Sequence, residues 1–172
     1  EPGGVVNLVT KHPSAEARRE INVQYGSYDH KQVSIDLTGP LNEDGTLLYR
    51  LVALDKDSKT QVDHAYDKRQ LFAPSLTWKP NADTELTTYL SYQRDDTSST
   101  VGFFPWQGML LPAPYGRIPT STFIGEPAWD YYGGKQVRAG YEFKQVLNDA
   151  WSLRHNLRYE YQSGHYENMY AK

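Results

Sequence analysis

The sequence predicts an all-β chain of about seven antiparallel strands running up and down, of the kind that forms the wall of a transmembrane β-barrel. Three observations predict it. Apolar and polar residues alternate with period 2 in segments of about ten residues. The connections between these segments are alternately short turns and longer loops. No stretch approaches the roughly 20 consecutive apolar residues of a spanning helix, whereas a spanning strand needs about 9–11 residues, of which only every second one meets lipid.

The first segment sets Ile21, Val23 and Tyr25 against Asn22, Gln24 and Gly26, and the second sets Val33, Ile35 and Leu37 against Gln32, Ser34, Asp36 and Thr38. The third opposes Tyr49, Leu51 and Ala53 to Arg50 and Val52. The fourth opposes Phe72, Pro74, Leu76 and Trp78 to Leu71, Ala73, Ser75 and Thr77. Pro74 has no N–H to give a ladder, so it weakens this strand or marks a bulge. Leu86, Thr88, Leu90 and Tyr92 alternate cleanly with Glu85, Thr87, Tyr89 and Ser91. Two later segments repeat the pattern: Val137, Ala139, Tyr141 and Phe143, then Leu153, His155, Leu157, Tyr159 and Tyr161. Their opposite faces carry Arg138, Gly140 and Glu142, then Ser152, Arg154, Asn156, Arg158 and Glu160.

Alternation alone also suits a soluble β-sandwich. The connections separate the two. Asn42-Glu43-Asp44-Gly45, Lys79-Pro80-Asn81-Ala82-Asp83 and Leu147-Asn148-Asp149-Ala150 are turn formers and fall on every second link. The intervening links, near Tyr28-Asp29-His30, over about 56–66 and over about 95–134, would share the opposite rim. Short turns at one rim and long loops at the other are the asymmetry of an outer-membrane barrel. Tyr25, Trp78, Tyr92, Trp151, Tyr159 and Tyr161 sit where aromatic girdles at strand ends would place them.

Composition narrows the function classes. A net charge of −3 without a basic run gives no electrostatic footprint for nucleic acid. With no cysteine there is no disulfide or thiolate metal site. The five histidines lie far apart, and neither a Gly-x-Ser-x-Gly elbow nor a Gly-rich phosphate loop is present, so an enzyme is not expected. The adjacent Asp95-Asp96 reads as solvated surface. The chain starts Glu1-Pro2 with no Met or apolar leader, so a fragment is expected, with any export signal upstream.

The opening Glu1-Pro2-Gly3-Gly4-Val5-Val6-Asn7-Leu8-Val9-Thr10-Lys11-His12-Pro13 resembles the end of the plug domain in TonB-dependent siderophore receptors. That family typically reads Pro-Gly-Gly, a variable residue, an aliphatic, Asn, two aliphatics, Ser or Thr, Lys, a basic residue and Pro; here His12 stands at the basic position. The turn at 42–45 with Tyr49-Arg50-Leu51, then Pro74–Pro80 and Leu90-Ser91-Tyr92, is similar to the early barrel of the ferrichrome- and ferrioxamine-type receptors. The resemblance implies that residues 1–14 end the plug and residues 15–172 begin the barrel, with the junction near Lys11–Ala17. It implies about seven strands of a 22-stranded plugged barrel. Arg50, Arg138, Glu142, Arg154, Arg158 and Glu160 would then be charges of the lumen, pairing with the plug or solvated.

The long link carries Gly102-Phe103-Phe104-Pro105-Trp106, and exposed aromatics on a loop are more often recognition surface than core. In the resembling receptors an aromatic-Gly-Trp element there lines the external siderophore pocket. Phe104 and Trp106 match its aromatic positions, Pro105 replaces the glycine, and Phe104 lacks the hydroxyl of the frequent tyrosine, so the ligand is expected to differ. Phe103 and Tyr115 are further candidates. The resemblance implies import of a ferric siderophore, of hydroxamate type, across the bacterial outer membrane. No cofactor is implied, and coupling would run through TonB by a segment upstream of Glu1. A ferric siderophore arrives with its iron wrapped, so aromatic contact and a few polar anchors suffice, without metal ligands. Two other readings remain open at this point: a small structural or adhesin-like outer-membrane barrel without plug or transport, and a soluble β-rich carbohydrate-binding module.

Overall fold

The computed structural model describes residues 3–4, 10–99 and 102–169. Of the opening motif, Glu1, Pro2 and residues 5–9 lie outside them. Seven strands, β1 (Arg18–Gly26), β2 (His30–Pro40), β3 (Leu47–Lys59), β4 (Tyr66–Trp78), β5 (Thr84–Thr97), β6 (Tyr131–Asn148) and β7 (Trp151–Glu167), form one antiparallel sheet in chain order. All seven expected segments are strands of that sheet.

The turns follow from their residues. Each short turn, 41–46, 79–83 and 149–150, uses an asparagine amide carbonyl to hold the start of the next strand. Asn42 Oδ1 accepts from Leu47 N at 3.0 Å. Asn81 Oδ1 accepts from Asp83 and Thr84 N at 3.0 and 2.9 Å. Asn148 Oδ1 accepts from Ala150 and Trp151 N at 2.9 and 3.0 Å. This local self-bonding is why asparagine favours turns. At the opposite rim, Tyr28 and Asp29 have φ of 61° and 56°. Two successive positive φ values are the mark of the primed turn whose twist matches that of the strands it joins.

Cross-strand register assigns every side chain to a face. Ile21, Ile35, Ala53, Phe72, Tyr92, Val137 and Tyr161 form one continuous row across the sheet, and Asn22, Ser34, Leu54, Leu71, Gln93, Gln136 and Gln162 form its neighbour on the other face. Among the described residues only Leu48 and Ala65 are buried hydrophobics. The apolar rows therefore make no core; Ile21, Val23 and Tyr25 are about 70–80% bare to solvent. Rows of aliphatic and aromatic side chains on one face of a single sheet need a non-aqueous medium against them. On β7 the row from Leu153 to Tyr161 spans eight residue steps. At ~3.4 Å per residue that is roughly 27 Å along the strand, and at a tilt of about 40° roughly 21 Å of height, close to the apolar band of an outer-membrane barrel.

Three expectations need correction. The strands run further than the alternation indicated, so the two long links shrink to 60–65 and 98–130. Beyond the band both faces are polar, which hides the period, yet cross-strand ion pairs hold the ladder: Lys56 to Asp67 at 2.6 Å, Lys68 to Asp57 at 3.4 Å and Arg69 to Asp95 at 2.5 Å. For the same reason Tyr92, Tyr159 and Tyr161 lie inside their strands, at the upper edge of the apolar band rather than at strand ends. Trp78 and Trp151 do terminate theirs. Finally, Pro74 makes no bulge. Phe72 pairs with Tyr92 and Ser75 with Tyr89, one unbroken register with the ladder interrupted between them, and the only register shift in these six pairings lies at Val146/Asn148.

Residues 10–17 precede β1 without regular structure and touch the polar face. Asp36 on β2 binds Arg50 on β3 through both oxygens, at 2.8 and 2.6 Å. Lys11 Nζ donates to Asp36 at 2.9 Å, and Arg50 Nη1 donates to the His12 carbonyl at 3.0 Å. His12 lies 3.5 Å from Glu142 on β6. Ser14 N donates to the buried Thr38 hydroxyl, which itself donates to the Tyr49 carbonyl. The polar face is thus the inner one, occupied by the segment that enters the sheet.

Candidate functional site

The 98–130 loop is fixed at its base. The carboxylate of Asp130, only 4% exposed, accepts from Glu126 N at 2.9 Å and from Met169 N at 2.6 Å. Ser99 Oγ donates to Asn168 Oδ1 at 2.8 Å. The neighbouring 60–65 loop leans on its descending limb: Asp63 N donates to the Ser121 carbonyl at 2.8 Å, and the His64 ring meets Phe123 edge-on at 6.2 Å.

The tip has its own frame. The Trp106 carbonyl accepts from the N–H groups of Leu110 and Leu111 at 2.9 and 3.0 Å, and Gly108 N donates to the Leu111 carbonyl at 2.9 Å. Ile118 N closes onto the Gly108 carbonyl at 2.8 Å, which ties the 106–111 turn to the returning limb. Gly108 is required there: its φ is 86°, and a Cβ would lie 2.8 Å from the Ile118 side chain.

The backbone is therefore bonded while the rings are not packed. Phe103, Trp106 and Tyr115 are 86%, 70% and 101% exposed, and only Phe104 is half-buried. Phe103, Phe104 and Trp106 enter the tip turn in sequence, and Tyr115 stands on the returning limb. No ring among these four stacks on another among the described residues. Leu110 and Leu111, 76% and 52% exposed, extend the apolar tip. The sequence reading missed them, although the run Met109-Leu110-Leu111 in a loop of Thr, Pro and Gly was a visible signal. Aromatic faces held outward on a bonded frame can accept a large, partly apolar ligand at low ordering cost.

Of the charges expected on the inner face, Arg50 and Glu142 meet residues 11–12 as described. Arg138 pairs with Glu160 at 3.2 Å, and Arg158 Nε donates to the Tyr89 hydroxyl at 3.3 Å.

No family model matches the chain. Similar proteins are clear. The chain is 31% identical over 159 residues to the ferrichrome outer membrane transporter and phage receptor of Escherichia coli, covering 92% of this chain and 21% of that protein. It is 36% identical over 166 residues to a metal-pseudopaline receptor of Pseudomonas aeruginosa, covering 96% and 22%. Its fold matches the crystal structure of the ferric-catecholate import receptor of E. coli K12 in its closed form, with a TM-score of 0.84 at 19% identity over 96% of this chain and 24% of that one. The chain thus spans about a fifth of the length of the curated relatives it matches.

Proposed function

We propose, for a chain that belongs to the TonB-dependent outer-membrane siderophore receptors, that it supplies the first part of a barrel wall through which a ferric siderophore is taken up. The apolar face meets outer-membrane lipid, the inner face meets the plug and water, and the chain is a transport element rather than an enzyme. The observation that carries the ligand role is the 98–130 loop, a bonded frame that presents Phe103, Trp106 and Tyr115 largely exposed and Phe104 half-buried.

On this reading the four aromatics cover the organic shell of a chelate that already wraps its metal, so no protein ligand to the metal is called for. We infer further that the siderophore is of hydroxamate type and that energy arrives through TonB at a segment upstream of Glu1. Ferrichrome- and ferrioxamine-named relatives support the hydroxamate reading; the pseudopaline receptor's higher identity keeps other chelates as the contrast to test.

The test is the affinity of the full-length receptor for ferrichrome and for ferrioxamine B, with and without Trp106→Ala. Removing a buried contact of an indole should weaken the bound probe about tenfold to a hundredfold. Unchanged affinity would remove the loop from the ligand site.

A further inference from the structure

Below the aromatic loop, three glutamines stand side by side on the inner face: Gln93 on β5 pairs with Gln136 on β6, and Gln136 with Gln162 on β7. We propose that this row is a second subsite for the siderophore, one that holds an uncharged, N–H- or O–H-bearing arm of the ligand. The proposal rests on the import reading above and adds a place and a chemistry to it.

The next row toward the loop is Asp95, Gly134 and Gly164, so two of its three positions carry no side chain. The gap forms a recess of about 300 Å³ that also reaches Thr97 and Tyr132. It is too small for a whole metal chelate and of a size for one arm.

The hydrogen bonds fix what the recess offers. Gln93 Nε2 donates to Asp95 Oδ2 at 2.6 Å, and Gln136 Nε2 donates to Glu160 Oε1 at 2.6 Å. Each amide is thus turned with its NH2 toward a carboxylate and commits one N–H there, which leaves its carbonyl oxygen as an acceptor and its second N–H as a donor. Donation to a carboxylate polarises an amide and strengthens its oxygen as an acceptor. Gln162 adds an amide with no side-chain hydrogen bond among the described residues. Adjacent strands lie about 4.8 Å apart, so the row is a ladder of acceptors at that spacing.

The carboxylates around it are compensated. Asp95 also pairs with Arg69 at 2.5 Å, and Glu160 with Arg138 at 3.2 Å. A recess of carbonyl acceptors whose carboxylates are neutralised does not attract a free cation strongly. It suits secondary amides or hydroxyls presented in series, which an apolar or anionic arm cannot replace without leaving acceptors unpaired.

The experiment uses the full-length receptor with ferrichrome and ferrioxamine B as probes. Gln136→Leu with Gln162→Leu removes two acceptors. Gly164→Leu instead fills the recess, since a Cβ there would have its nearest neighbour at 3.8 Å and no backbone clash. Retained heat-modifiable migration shows that each variant is folded. We expect both variants to weaken at least one probe about tenfold, the scale of one lost hydrogen bond. If both keep wild-type affinity while Trp106→Ala weakens it, the recess is overturned and the loop reading stands. If the wild-type receptor binds neither probe, the hydroxamate reading and the recess fall together.

Discussion

Arg50→Met tests how the segment before β1 is held to the wall. Arg50 and Asp36 are nearly enclosed, with side chains 12% and 14% exposed, and the guanidinium divides its donors between Asp36 and the His12 carbonyl. Methionine keeps most of the volume and removes the donors. Asp36 retains Lys11, so no bare charge is created. What the segment loses is one charge-assisted bond donated by an enclosed guanidinium, worth about 2 kcal/mol, or roughly a 30-fold rise in local opening. Lys11→Ala deletes a second contact to the same carboxylate, but Lys11 is 68% exposed. An exposed pair is worth about 0.5 kcal/mol, roughly a twofold rise. Amide hydrogen exchange of Ser14, whose N–H donates to Thr38 Oγ1 at 2.9 Å, reports the opening. In the full-length receptor, exchange should accelerate about 30-fold in Arg50→Met and about twofold in Lys11→Ala. Equal effects, or a larger one in Lys11→Ala, would refute the assignment of the anchor to Arg50.

Two other perturbations follow from buried polar groups. Thr77 and Thr87, 1% and 2% exposed, share a hydroxyl bond of 2.8 Å on the inner face; Thr77→Val alone should cost about 1–2 kcal/mol and the double Thr77→Val, Thr87→Val much less, measured by urea unfolding of the bilayer-inserted receptor. A double variant as unstable as the sum of the singles would contradict this. Asp130→Ala leaves the Glu126 and Met169 amides without their acceptor, so limited proteolysis should nick the 98–130 loop at least tenfold faster. An unchanged nicking rate would show that the loop base is held elsewhere.

The strands, their order and both faces were legible because a membrane-facing sheet enforces period 2 within the apolar band. Where the sheet leaves that band, Asp55, Asp57, Lys68 and Arg94 occupy the outward positions, and alternation vanishes while pairing continues. That is why the ends of β3 to β6 were read as loop. The aromatic tip was visible as Phe103–Trp106 in a polar stretch, but its frame was not, since the Gly108 to Ile118 contact joins residues ten apart. The glutamine row was invisible for a stronger reason. Gln93, Gln136 and Gln162 become neighbours only through a register set across three strands and one long loop.

The claim that the apolar face of this sheet meets lipid is tested most directly on β5 of the full-length receptor in bilayers. Single spin labels at Leu86, Thr87, Leu90 and Ser91 are compared for collisions with dissolved oxygen and with a water-soluble nickel complex. The structure predicts that Leu86 and Leu90 collide with oxygen and exclude nickel, with the order reversed or both collisions suppressed at Thr87 and Ser91. Nickel access at Leu86 and Leu90 equal to that at their neighbours would contradict it.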